Sequence, residues 1–192
     1  MERFGRFVSL PVPESVDQEL SVGTRYACDV QLHYFDFVPP PRWNGFRIGR
    51  QVRLCPPETP PASAKNFIVV SPLVPRSPNL PSAETLFEKT LAFELENTPA
   101  KLLGKNGPVP TSSDHGLGGA YFEATLQKPD HVERRLYVML LDELCLYGLS
   151  YAAWVDVFDK HVDEFWTSVR TIRPFAGRLA IPTGKAFDHF GE

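Results

Sequence analysis

The sequence is short of the residues that most chemical signatures need. Its 192 residues include only three cysteines, Cys28, Cys55 and Cys145. They are widely spaced, with no C-x-x-C pair, so neither a zinc site nor a disulfide framework is indicated. An excess of one charge is missing too, since 20 Lys and Arg face 23 Asp and Glu for a formal charge of −3. That balance excludes a strongly basic nucleic-acid binder. No apolar run approaches the roughly 18 residues of a bilayer span. The opening MERFGRFVSLPVPE lacks the apolar centre of a secretory signal. The expectation is a reduced, cytoplasmic protein without direct membrane insertion.

What is present favours a packed domain. Hydrophobic residues make up 43% and charged residues 22%, enough apolar material for a core in a chain of one-domain length. There are 19 prolines, and only Pro129, Pro174 and Pro182 lie beyond Pro110. Proline fixes φ and lacks the ladder donor, so the first half should be short strands joined by stiff connections.

Hydrophobic periodicity supplies the elements. Tyr26, Cys28, Val30, Leu32 and Tyr34 alternate with polar or small residues, which predicts one half-buried strand over residues 26–34. A second alternating stretch, FRIGRQVRL, predicts a strand over residues 46–54. NFIVVSPLV, residues 66–74, is a continuous apolar run of the kind found in a central strand, ended by Pro72. Ser82 caps a helix in which Ala83, Phe87, Leu91 and Leu95 recur every four residues until Asn97 and Pro99. The glycine- and serine-rich stretch 105–119 reads as loop. Residues 120–126, 134–141 and 144–149 follow as an antiparallel meander. A second helix is expected from a Ser150 cap, with Tyr151, Trp154, Val155, Phe158, Val162, Phe165, Trp166 and Val169 on its apolar face, until Pro174.

Few residues suggest chemistry. Gly148-Leu149-Ser150-Tyr151-Ala152 is one residue away from the G-x-S-x-G nucleophile elbow, and Asp188-His189 offers an acid and a base. Ser150 is equally the expected helix cap. Asp114-His115-Gly116-Leu117-Gly118-Gly119 resembles a phosphate loop but has no following Lys-Ser/Thr pair. His33, His115, His131 and His161 lack metal-ligand spacing and read as solvated. No cofactor and no metal are expected.

The aromatic segment after residue 33 offers a candidate surface. Tyr34, Phe35, Phe37, Trp43 and Phe46 crowd around the triple proline 39–41, with Arg42 and Arg47 as a basic rim. These seven residues are the candidate partner-binding set, suited to a protein with an exposed apolar segment. The alternative is a loop folded back into the core. If they form an interface, Phe37→Ser weakens capture and leaves the melting temperature intact; if they form core, stability falls first.

The order of strands, helix, loop, meander and terminal helix resembles the PsbP-like α/β/α sandwich shared by DcrB-type bacterial proteins. The end of the second helix, Phe165-Trp166-Thr167-Ser168-Val169-Arg170, is similar to the phenylalanine-rich ending of that helix in the family. The resemblance covers residues 65–174. It implies an α+β fold, a twisted and mostly antiparallel sheet sandwiched between two amphipathic helices. Residues 1–64 would be proline-rich strands of the same domain, and residues 175–192 a tail. Members include a photosystem subunit, bacterial lipoproteins and cytoplasmic adaptor chaperones of Rhs-type effectors in type VI secretion. The resemblance therefore implies a non-catalytic protein-binding module, of which an effector adaptor is one form, without nucleic acid and with a homodimer open. A structural subunit of a larger assembly, or a small serine hydrolase using Ser150, are the alternatives.

Overall fold

The computed structural model describes residues 6–10, 25–29, 33–48, 51–57, 64–70, 74–75, 81–143 and 145–176. Strands β1 (Arg6–Leu10), β2 (Arg25–Asp29), β3 (His33–Phe37), β4 (Asn44–Ile48), β5 (Gln51–Cys55), β6 (Asn66–Val70) and β7 (Val74–Pro75) precede helix α1 (Ala83–Asn97). Strands β8 (Lys101–Ser112), β9 (Gly118–Gln127), β10 (Val132–Leu141) and β11 (Cys145–Trp154) follow. Helix α2 (Val155–Arg170) and strand β12 (Arg173–Ala176) complete the described chain. The large sheet runs β4-β5-β6-β11-β10-β9-β8, with β7 also paired to β11; a small sheet runs β1-β2-β3-β12. All the described pairings are antiparallel.

Strand alternation sends successive side chains to opposite faces, and β10 shows where each face goes. Leu136, Val138 and Leu140 join Tyr147, Leu149 and Tyr151 of β11 beneath Phe158, Phe165 and Val169 of α2. Tyr137 and Met139 point the other way and pack with Phe122 under Phe87 and Leu91 of α1. The two helices thus cover opposite faces of one antiparallel sheet, the α+β sandwich that the sequence leads one to expect. Helix α1 lies over β8 and β9, whereas α2 lies over β11, β10 and β6. On the α1 side, β11, β6 and β5 are therefore left to other contacts.

Helix α1 keeps its expected limits. The Ser82 hydroxyl accepts from the Thr85 amide at 3.2 Å, satisfying one of the unpaired amides of the first turn. Four expectations are corrected. Residues 26–34 are not one strand: Tyr26 pairs with Phe37 and Ala27 with Asp36, so the chain reverses between β2 and β3. Residues 46–54 likewise divide into β4 and β5, where Ile48 pairs with Gln51. Alternation cannot distinguish one long strand from two that share a parity.

The stretch 105–119 is mostly strand rather than loop. Strand β8 is the sheet's edge and almost wholly exposed, so no buried face imposed a period on it. Its register slips between Leu102 and Gly104 and again between Asn106 and Val109. Pro108 and Pro110 are tolerated because an edge strand pairs on one side only. Close by, a Cβ at Gly119 would stand 2.0 Å from the Met139 carbonyl oxygen, so only glycine lets β9 approach β10 there.

The fourth correction concerns the start of α2. Strand β11 continues through Ser150 to Trp154, and α2 begins at Val155 with no side-chain cap bond. Ser150 is no helix cap; it pairs with Tyr137 on one side and Val69 on the other. A strand buried on both faces reads as a continuous apolar run, so its pattern merges with the helix that follows. Tyr151 consequently faces α2 from the sheet. Its hydroxyl donates to the Phe158 carbonyl at 3.0 Å, and its ring lies 5.1 Å from Phe158 and 5.6 Å from Phe165. Phe158→Ala opens this contact and should cost about 3–5 kcal/mol, a full aromatic truncation. Denaturant unfolding checks it.

Candidate functional site: the charged face beside the first helix

The aromatic segment proves to be core where its side chains are described. Phe35 is 1%, Phe37 0% and Trp43 8% exposed. All three belong to the cluster beneath α2, and Phe35 meets Tyr147 edge-on at 5.5 Å. The triple proline explains the return. The Trp43 amide donates to the Pro40 carbonyl at 3.2 Å, with Pro41 and Arg42 at the corner and Arg42 at φ 65°. Proline followed by a left-handed residue is the arrangement of a type II turn. It throws Trp43 back onto α2, where the indole Nε1 donates to Glu164 Oε2 at 2.9 Å. His161 lies 3.1 Å from the same oxygen and edge-on to the indole at 5.7 Å.

Phe35, Phe37 and Trp43 therefore offer no open surface, which corrects the interface expectation for them. Arg42 is exposed, apart from the buried aromatics. The side chains of Tyr34, Phe46 and Arg47 lie outside the described residues, as does the Asp188-His189 pair. Phe37→Ser and Trp43→Ser should each cost about 3–5 kcal/mol as core truncations, read as a lowered thermal midpoint.

Two histidines taken as solvated are engaged. His161 is tied to Trp43 and Glu164 as above. His131 stacks on Trp154 at 4.4 Å and sits 2.7 Å from Asp130 and 3.8 Å from Glu133. The His161–Glu164 contact is an ordinary i,i+3 pair, but neither ring contact follows from spacing. His131 meets Trp154 through the pairing of β10 with β11, and His161 meets Trp43 through the turn at Pro41-Arg42.

The sheet face beside α1 gathers charges from several separate elements. Glu94 of α1 accepts from Lys128 Nζ at 2.7 Å and from Arg135 Nη1 at 2.7 Å. Arg135 Nε reaches Glu133, and Lys128 also lies 3.2 Å from the Thr98 hydroxyl. Arg53 of β5 shares this face, with its guanidinium 4.8 Å above the Phe67 ring. Lys65 stands 4.4 Å above the Trp154 ring at the far end. Burial pushes the Glu94 carboxyl up, but Arg135 and Lys128 outweigh it and hold it below its ordinary range. Burial works against the Arg135 charge as well, and Glu133, Tyr137 and Glu94 more than restore it. Burial raises the Tyr137 hydroxyl, only partly offset by Arg135.

The serine of the near-elbow sequence does not sit where that motif would put it. Ser150 lies within the strand ladder rather than on a strand-to-helix corner. His131, stacked on Trp154, is at the other end of β11, four residues or about 13 Å along the strand from Ser150.

An antiparallel sheet covered by a helix on each face makes an α/β/α sandwich of PsbP-like fold. No protein-family model matches the sequence, and no curated protein is significantly similar to it. Solved structures do share the fold. LpqN of Mycobacterium tuberculosis, described as involved in cell envelope biogenesis, is 14% identical with a TM-score of 0.55, over 88% of this chain and 91% of that one. The PsbP protein CyanoP of Synechocystis sp. PCC 6803 is 16% identical with a TM-score of 0.54, over 86% of this chain and 100% of that one.

The Glu94 carboxyl gives the cluster a pH signature. A folded-state pKa below the unfolded value stabilises above the unfolded pKa, and that contribution is lost as pH falls through the folded one. Stability should therefore decline once pH drops below about 4.5, the ordinary value for the group. Glu94→Gln should remove part of that acid-side slope. At neutral pH it should cost roughly 2–4 kcal/mol, between the loss of a charged hydrogen bond and the breaking of a buried pair. Denaturation midpoints across the acid range measure both.

Proposed function

We propose that this chain is a non-catalytic protein-binding module that holds an apolar segment of a protein partner. The observation that carries the reading is the apolar surface left outside once the aromatic segment is core. Phe93 of α1 is 67% exposed and Leu103 of β8 is 52% exposed, and α1 packs on β8. Large apolar side chains on adjoining outer elements fit a docking surface, where aromatic anchors contribute most. The charges around Glu94 are engaged with one another, and the Ser150 environment lacks a positioned base among the described residues; both support binding over catalysis. An adaptor for a secreted effector is the narrower form of this proposal and rests on the family resemblance alone.

The test compares immobilised wild type with the Phe93→Ser/Leu103→Ser double variant. The expected result is one protein retained by wild type and lost by at least about tenfold in the variant. Stability should stay within about 0.5 kcal/mol, as for surface changes. Equal retention by both would contradict the proposed surface. An ester hydrolysis abolished by Ser150→Ala in a folded chain would overturn the non-catalytic reading.

A further inference from the structure

The same sheet face holds two buried donor groups without a hydrogen-bond acceptor among the described residues. Arg53 Nε is buried and has no hydrogen-bond partner, nor does Arg53 form an ion pair among the described residues. Tyr137 is 6% exposed, and its hydroxyl hydrogen has no acceptor among the described residues; Arg135 stands beside it and can only donate. An unsatisfied buried donor is costly unless something else meets it. The two are linked by register: Arg53 pairs with Val69, Val69 with Ser150 and Ser150 with Tyr137. They therefore lie on one row of one face, three strand spacings or about 14 Å apart at the backbone. The two residues between them, Val69 and Ser150, are short. Arg53 also responds to Arg135, Glu94 and Glu133, which places its charge within range of the cluster on the β10 side.

We propose that the row Arg53–Ser150–Tyr137 binds the carboxylate of a small monocarboxylic acid. The charge inventory selects the ligand class. Lys128 and Arg135 are paired with Glu94 and Glu133, Lys65 stands over Trp154 at the far end, and Arg53 is the cation on this row. That cation is in excess, and a monoanion neutralises it; a dianionic phosphate would leave a net negative charge in a partly buried site. A carboxylate accepts from the Arg53 guanidinium and from the Tyr137 hydroxyl together. Ser150 between them carries a further hydroxyl and too little bulk to block entry. The site uses neither Phe93 nor Leu103, and it stands or falls independently of the protein-binding surface.

The experiment titrates the full chain, isotopically labelled at arginine and tyrosine, with sodium acetate, inorganic phosphate or sodium chloride at constant ionic strength. Acetate should shift the Arg53 Nε–H and Tyr137 ring signals saturably, with a Kd on the order of millimolar. Phosphate should bind at least about tenfold more weakly, and chloride should give no saturable shift. Tyr137→Phe should weaken acetate about tenfold, the loss of one hydrogen bond to a charged group. In the absence of acetate the same variant should melt no lower than wild type, because an unsatisfied hydroxyl has been removed. Arg53→Gln should abolish the saturable response. Shifts that stay linear in acetate, phosphate binding as tightly as acetate, or unchanged acetate binding in Tyr137→Phe would each overturn the proposal.

Discussion

Strand β11 is paired along both edges and covered by α2 on one face, and the remaining architecture is arranged around it. Strand β10 pairs along its length, while β6 and β7 take the other edge. Helix α2 covers the face carrying Tyr147, Leu149 and Tyr151, and Ala152 on the opposite face is 1% exposed. A strand so placed must be largely apolar and must have its ladder groups paired. The chain meets the first condition with Leu146, Tyr147, Leu149, Tyr151, Ala152 and Ala153, all buried. It meets the second by bringing strands from both halves of the sequence to β11 and its partner. The proline-rich first half is thus built into the sheet, through β4, β5 and β6, rather than appended to it.

The same enclosure decides how legible the fold is. Elements with one buried face, such as α1 and strand β9, declare themselves by period and come out close to their limits. Strand β11 and helix α2 are both apolar and consecutive, and their junction at Trp154 is invisible to a periodicity argument that needs a polar side for contrast. Strand β8 fails for the opposite reason, since an exposed edge carries no pattern. Phe35, Phe37 and Trp43 were ambiguous because burial there depends on a turn at Pro41-Arg42 and on a partner, Glu164, more than a hundred residues away. Sequence pattern sees aromatics near one another; it does not see what closes over them.

The charged face was hidden for a related reason. Arg53, Glu94, Lys128, Glu133 and Arg135 come from β5, α1, the turn after β9, and β10. No spacing unites them, and each alone resembles an ordinary solvated charge. Only register places Arg53 and Tyr137 on one row with Ser150 between. The residue that attracted attention as a nucleophile therefore becomes one position in a ladder, and its neighbours, rather than its hydroxyl, give the site its character.

Amide hydrogen exchange combined with backbone chemical shifts along residues 145–160 tests this account most directly. The account predicts extended-strand shifts through Trp154, helical shifts from Val155, and amides of β10 and β11 that exchange only by global unfolding, the slowest of any element. Helical shifts beginning at Ser150, or exchange in β11 faster than in α1, would contradict it.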